Sequence, residues 1–261
     1  MMVRAISKEV PEPHDLKLLR MNDFEIGPCR ACYRCLFEDG RCPLGDDLDK
    51  VLEAILAADG LVVAAPTYFL GANAALKRFL DRGLSFYARI DRLWAKPAVG
   101  IGIAGIPGRE GYTRLAVQSF LKLLLTDVKG VRIAYGALPG EVFRNEKNEK
   151  AAEALGNALF GPALPPAGPS CPLCGGDTFR FLGARRVQCM LCSNTGTMET
   201  GDGGPPAFAI APGPHELFST REAAVAHLEW LRGMKERFLE ERAGLKSAGA
   251  PYRKGGDWIL P

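Results

Sequence analysis

The sequence predicts an α/β fold: a doubly wound parallel sheet followed by a small cysteine-built module and a terminal helix. Three observations predict it. Short, almost wholly apolar segments alternate with amphipathic helical patterns through the first 160 residues, as in a parallel sheet covered on both faces. Residues 160–170, FGPALPPAGPS, then break every periodicity with four prolines and two glycines. The eight cysteines fall into two groups of four, one on either side of that break.

In chain order, VRAI at 3–6 reads as the last turn of a first helix. It lies too close to the next apolar segment for the crossover of about a dozen residues that parallel neighbours require. DLKLLRM at 15–21 is predicted as a strand ending at Asn22 and Asp23. DDLDKVLEAILAAD is a helix from Asp46, with Asp46, Asp47 and Asp49 favouring its N-terminus. GLVVAAP at 60–66, PAVGIGIAG at 97–105 and VRIAYGALPG at 131–140 are strands, separated by helices from Asn73 and from Tyr112. Ser219 opens the last helix as an N-cap with a glutamate three residues on. Val225, Leu228, Leu231, Met234 and Phe238 form its single apolar stripe, which is expected to pack on the chain or on a second copy.

A chain of 261 residues accommodates one ordinary core and an appended module. The division expected is 1–160, containing a metal loop at 27–45, then 161–214, then a terminal helix and tail at 215–261. With 47% hydrophobic residues and no apolar run near the roughly 20 residues that span a bilayer, membrane insertion is not expected. The first residues are polar and broken by prolines, unlike a secretory signal, so the cytoplasm is the expected compartment. A net charge of +3 gives no basis for expecting nucleic acid as a partner. His14, His215 and His227 fit no catalytic pattern.

In a reducing compartment clustered cysteines are metal ligands before they are disulfides. Cys29, Cys32, Cys35 and Cys42 are spaced C-x2-C-x2-C-x6-C. Zinc sites use two separated C-x2-C knuckles, whereas a triple run at this spacing can reach neighbouring iron corners of a cubane, so a [4Fe-4S] cluster is favoured over zinc. The loop lies at a strand's carboxyl end, where open α/β sheets place ligands. Cys171, Cys174, Cys189 and Cys192 are spaced C-x2-C-x14-C-x2-C, the pattern of a zinc ribbon, with FRFL and RRVQ as its hairpin. Zinc is preferred, and a single rubredoxin-type iron uses the same ligands. Arg180, Arg185 and Arg186 offer a docking surface, although the ribbon also serves simply to staple a module too small to bury a core.

PCRACYRCLFEDGRCPLGDDL, ADGLVVAAPTYFLGANAALKRFLDR at 58–82 and GIAGIPGREGYT at 102–113 together resemble the flavodoxin-like NAD(P)H-dependent FMN reductases. The resemblance is specifically to their iron-sulfur flavoprotein branch and covers about residues 1–160. It implies FMN as cofactor, with Pro66, Thr67, Tyr68, Phe69, Gly71 and Asn73 holding the isoalloxazine, and Ala104, Gly105, Gly108 and Gly111 along its other side. It also implies NAD(P)H or a ferredoxin-type protein as electron donor or acceptor, and a homo-oligomer or a place in a redox complex.

The first strand of that family, and the Ser/Gly/Asn-rich loop that holds the FMN phosphate at a helix N-terminus, have no counterpart in the sequence. A longer natural chain is the expected reason. A strand supplied by a partner, or loss of FMN with retention of the cluster, are the alternatives. The function expected is a flavin- and iron-sulfur-dependent electron-transfer oxidoreductase; the alternative is a flavin-free metal-binding adaptor.

Overall fold

Helix α1, Met2–Lys8, bears out the helical reading of residues 3–6. The computed structural model describes residues 1–37, 40–200, 204–253, 256 and 259. After α1 the chain runs extended into a 3-10 turn at Met21–Asp23, and this corrects the strand expected at 15–21. Leu16, Leu18 and Leu19 there are 40%, 52% and 38% exposed. A strand exists through its ladder hydrogen bonds, and among the described residues no strand stands beside this segment to supply them.

Helix α2, Leu48–Ala57, buries Leu48, Val51, Leu52 and Leu56, one face of a 3.6-residue period. Strand β1, Leu61–Tyr68, turns back through Phe69 and Leu70 to pair antiparallel with β2, Gly71–Ala72. The single helix expected over 73–87 is divided into α3, Ala74–Leu80, and α4, Leu84–Tyr87, and a further short helix, α5, Ile90–Leu93, follows. The division falls at Gly83, where a Cβ would stand 2.8 Å from the Leu80 carbonyl oxygen. Strand β3, Pro97–Ala104, and helix α6, Thr113–Leu123, follow as expected. Strand β4, Asp127–Tyr135, begins and ends before the expected 131–140, and helix α7, Glu146–Leu159, was not foreseen.

The sheet order is β2-β1-β3-β4, with β1, β3 and β4 parallel. Alternate residues serve opposite faces, as a strand's period of two dictates. Val62, Ala64, Val99, Ile101 and Ala134 pack with α1 and α7, while Val63, Ala65, Ala98 and Val131 pack with α2, α3 and α6. Gly100 lets α6 approach closely, because a Cβ there would collide with the Val117 side chain. Among the described residues β1 has no strand partner at Leu61–Pro66 on its outer side.

The proline-rich stretch lies along the outer edge of β4, where Leu164 N–H donates to the Lys129 carbonyl at 2.7 Å. A second, antiparallel sheet follows: β5, Phe179–Phe181, β6, Arg186–Cys189, β7, Thr195–Glu199, and β8, Ala207–Ile210. The expected hairpin is β5–β6. Val187, Cys189 and Leu191 join the same buried cluster as Leu121 and Val131, and an Arg114–Asp177 ion pair at 2.9 Å adds a second tie.

Helix α8, Arg221–Gly249, is capped by Thr220, whose Oγ1 accepts from Ala223 N–H at 3.1 Å. The cap is therefore one residue beyond the expected Ser219. Leu228 and Leu231 are buried, but Phe238 is 53% exposed, so only the first half of the stripe packs on the chain. Among the described residues no helix is long and apolar enough to cross a membrane.

Candidate functional site

Residues 25–47 form a loop zipped at its base. Glu25 N–H donates to Asp47 Oδ2 and Asp47 N–H to the Glu25 carbonyl, each at 2.9 Å. Gly27 N–H donates to Asp46 Oδ2, also at 2.9 Å. Arg82, whose side chain is 1% exposed, reaches this zipper from the turn after α3. Its Nη1 donates to the Gly27 carbonyl at 2.8 Å and to Asp46 Oδ2 at 2.6 Å. Burial works against the Asp46 anion, but hydrogen bonds from Arg82 and from two backbone amides outweigh it and hold its pKa below the usual carboxylate range. Asp46 therefore does more than favour the start of α2: it closes the loop.

Two further arginines grip the loop's interior. Arg89 donates to the Gly40 carbonyl, and Arg232 of α8 donates to the Leu36 carbonyl at 3.2 Å. Cys29 and Cys32 are exposed, Cys42 is half-buried and Cys35 is buried. Burial pushes the Cys35 thiol up to about 11, and Cys42, Cys29 and Cys32 push in the same direction, so the four sulfurs share one neighbourhood. Ala31 and Tyr33, either side of Cys32, both take the left-handed conformation, at roughly 1 kcal/mol or more apiece. Ala31 N–H points at the Cys29 sulfur, 3.4 Å away. Four thiols with an amide donor at one sulfur and a buried cation at the base of their loop suit a group that carries net negative charge.

The ten residues assigned to the flavin by resemblance come together at the carboxyl ends of β1 and β3. Pro66, Thr67 and Tyr68 end β1, Phe69 stands at the turn, Gly71 is in β2, and Asn73 caps α3 with its N–H bonded to the Pro66 carbonyl at 3.1 Å. Ala104 ends β3, and Gly105, Gly108 and Gly111 follow in the next loop. The two loops are locked together: Tyr112 N–H donates to the Leu70 carbonyl at 2.8 Å, and the Thr67 and Thr113 hydroxyls meet at 2.9 Å. The Tyr112 ring lies over the place of a Gly71 Cβ, and Gly111 has to be glycine because its φ is +52° and the Leu70 carbonyl fills the place of its Cβ.

Phe69 and Leu70 both have positive φ, 48° and 67°, and Phe69 is fully exposed. With Tyr68, Ile106, Tyr112 and Leu138 they form an exposed apolar rim. Around Gly108 there is open space, and the nearby Glu110 Oε2 is buried without a hydrogen-bond partner. An apolar rim beside an orphaned acceptor fits a flat ring with an N–H edge, so the ring-binding residues present suit FMN. Glu110, Tyr112 and Thr113 escaped the sequence reading. They lie inside or beside the glycine-rich segment, yet only the fold turns them toward the other loop.

In the second cysteine group all four sulfurs lie within 4.8 Å of one another. Cys171 and Cys192 are 3.8 Å apart and Cys174 and Cys189 3.5 Å, against about 3.8 Å for the edge of a tetrahedron with 2.3 Å metal–sulfur bonds. The two knuckles match: Gly175 and Ser193, each following its second cysteine, both have positive φ. The neighbouring Cys174 thiol, and after it Cys192, hold the Cys189 thiol below its ordinary range. Four buried or half-buried thiols in this arrangement can bind a metal ion. Among the described residues only this group reaches that mutual proximity; a cubane needs wider spacing, because each thiolate binds a different iron. Arg180, Arg185 and Arg186 are exposed on the ribbon.

A parallel sheet with two loops locked together at its carboxyl ends, a zipped cysteine loop beside it and a four-thiol ribbon define an α/β protein of flavodoxin-like fold. The chain belongs to the NADPH-dependent FMN reductase family, whose model matches residues 1–138. It is 36% identical over 78 residues to an iron-sulfur flavoprotein of Methanocaldococcus jannaschii, 30% of this chain and 40% of that protein. The chain spans about half the length of the curated iron-sulfur flavoproteins it matches. A flavone synthase of Aspergillus candidus is 24% identical over 290 positions, covering 95% of this chain and 84% of the relative. The solved structure of a flavone reductase superposes with a TM-score of 0.75 at 18% identity, over 100% of this chain and 94% of the other, so the fold extends through the ribbon and terminal helix.

Proposed function

We propose that this protein is a flavin- and iron-sulfur-dependent electron-transfer oxidoreductase. FMN would sit against residues 66–73 and 104–111, and a [4Fe-4S] cluster on Cys29, Cys32, Cys35 and Cys42. The observation that carries the reading is one stretch of chain joining both sites: α3 leaves the ring loop at Asn73, and Arg82, nine residues on, grips the cysteine loop. The seven residues of α3, at 1.5 Å each, carry about 10 Å of that separation. When bound, the two groups supply pairwise and one-at-a-time electron transfer. The protein's part is to position them. Tyr68, Phe69 and Tyr112 would border the ring, Ile106 and Leu138 would keep water from its rim, and Glu110 Oε2, which has no partner, would be available to accept a hydrogen bond from it.

The Cys171, Cys174, Cys189 and Cys192 site would hold zinc as a staple for a module at 161–214, between a flavin domain at 1–160 and the helix and tail at 215–261. The donor would be NAD(P)H or a ferredoxin-type protein, in the cytoplasm, with the protein acting as an oligomer or as part of a redox complex. Two relatives that match nearly the whole chain are named for flavones, so a planar aromatic ketone is the small-molecule acceptor class to try first.

Anaerobic purification with iron, sulfide, zinc and FMN assays tests this directly. About four irons and sulfides, one zinc and a flavin spectrum bleached by NADH or NADPH are expected. Protein that holds metal yet neither binds FMN nor accepts electrons from nicotinamide would instead be the adaptor.

A further inference from the structure

The geometry points to a phosphate-binding site in the cleft between the parallel-sheet domain and the ribbon, one that takes hydrogen phosphate or a hydroxyl-bearing phosphate ester. This inference does not depend on flavin or iron. The cleft, of about 190 Å³, lies between α6, the outer strand β4, the proline-rich stretch and the first cysteine knuckle. Pockets for drug-sized ligands start at about 300 Å³, so this one suits a small ion or one end of a larger molecule. Arg114, Gln118 and Lys122 line it from α6, and their spacing of four residues puts them on one helix face. Lys129 and Arg132 line it from β4. Lys129 is the extra residue where the register slips from Ala98–Val128 to Val99–Gly130, and such a bulge re-aims the side chain it carries.

Contacts that hold the ribbon and linker in place explain only part of this lining. Arg114 Nε stands 2.9 Å from Asp177 Oδ2, and Arg132 donates to the Val131 and Pro165 carbonyls at 3.1 and 3.5 Å. Lys129 pairs with Asp127 at 2.8 Å. Four cations are thus matched by two carboxylates, and Lys122 has neither an ion pair nor a hydrogen bond among the described residues. Gln118 is only 7% exposed, and its Oε1 is buried without a hydrogen-bond partner. Burying a polar atom unpaired is costly, and no packing contact calls for it. The surplus positive charge selects an anion, and the orphaned Gln118 oxygen requires that the same molecule donate a hydrogen bond. Sulfate and carboxylates at neutral pH only accept. Inorganic phosphate keeps at least one O–H, and a sugar phosphate brings hydroxyls of its own. A molecule of this class satisfies the unpaired cation and the orphaned oxygen together.

The test is isothermal titration calorimetry of the full-length protein, in neutral phosphate-free buffer, with inorganic phosphate, sulfate and ribose 5-phosphate. It is repeated on Lys122→Met and Gln118→Leu, with thermal unfolding recorded for each. Wild type should bind phosphate at least about tenfold more tightly than sulfate. Lys122→Met removes a cation with no partner in the chain, so it should weaken phosphate about tenfold while leaving the melting temperature of ligand-free protein unchanged. Gln118→Leu should bring phosphate down to the level of sulfate. Tighter binding of ribose 5-phosphate than of phosphate would assign the site to an ester, and equal or weaker binding would assign it to the free ion. No binding of either phosphate, sulfate bound as tightly as phosphate in wild type, or phosphate affinity unchanged in either variant would overturn the proposal. If Gln118→Leu fails to fold, Lys122→Met and the sulfate comparison decide alone.

Discussion

Replacing Phe69 with asparagine should make the flavin-free protein more stable and its grip on FMN weaker. Phe69 has φ of 48°, and its neighbour Leu70 is also left-handed, the geometry of a two-residue hairpin turn that favours Asn-Gly. For a side chain with a Cβ, that conformation costs roughly 1–2 kcal/mol, and asparagine tolerates it far better. The ring is fully exposed, so its removal forfeits no burial within the chain. The gain is about 1 kcal/mol, a rise in melting temperature of about 2–4 °C for a protein of this size. If the aromatic ring contacts the flavin, its loss costs about 0.5–1.5 kcal/mol, raising Kd for FMN about two- to twelvefold. Calorimetry on the apoprotein and fluorescence titration with FMN read the two effects separately. Unchanged FMN affinity, or a melting temperature that does not rise, would refute the argument that strain at this turn is maintained for the ligand.

Replacing Cys189 with serine should abolish stoichiometric metal in the ribbon and lower stability, because a small hairpin module depends on its metal; elemental analysis with thermal unfolding checks this. His227 accepts or donates a 2.7 Å bond to His215, and burial, then His215, holds its pKa below 6.5. Protonation therefore favours the unfolded chain, and the stability it contributes, complete above about pH 6.5, should be lost as pH falls below that value. Denaturant unfolding across pH 5–8 should show that slope in wild type and not in H227Q. Leu228→Ala should cost about 2–5 kcal/mol from a residue 6% exposed, and should speed chelator removal of iron by loosening the helix that carries Arg232.

Local chemistry made much of this molecule legible. Apolar runs gave β1, β3 and β4, and helical periodicity gave α2, α6 and α8, because each pattern reports a face buried within a few residues of its neighbours. Cysteine spacing alone anticipated the ribbon, since each knuckle is a single turn. The strand expected at 15–21 failed because a strand needs a partner, and partners are not written in the segment itself. The helix from Asn73 broke at Gly83, and the cap moved from Ser219 to Thr220, for similarly small reasons of local fit.

The sequence by itself determined which residues could bind metal, which loops carried small residues near aromatic ones, and that helices would alternate with parallel strands. All of these are short-range properties of neighbouring side chains. Only the tertiary structure decided that Arg82 would reach back 55 positions to Gly27, that Tyr112 would lock the turn at Leu70, and that Arg232 would hold Leu36 from 196 residues away. Contacts between distant parts of a chain depend on how whole elements pack, and no local spacing encodes them.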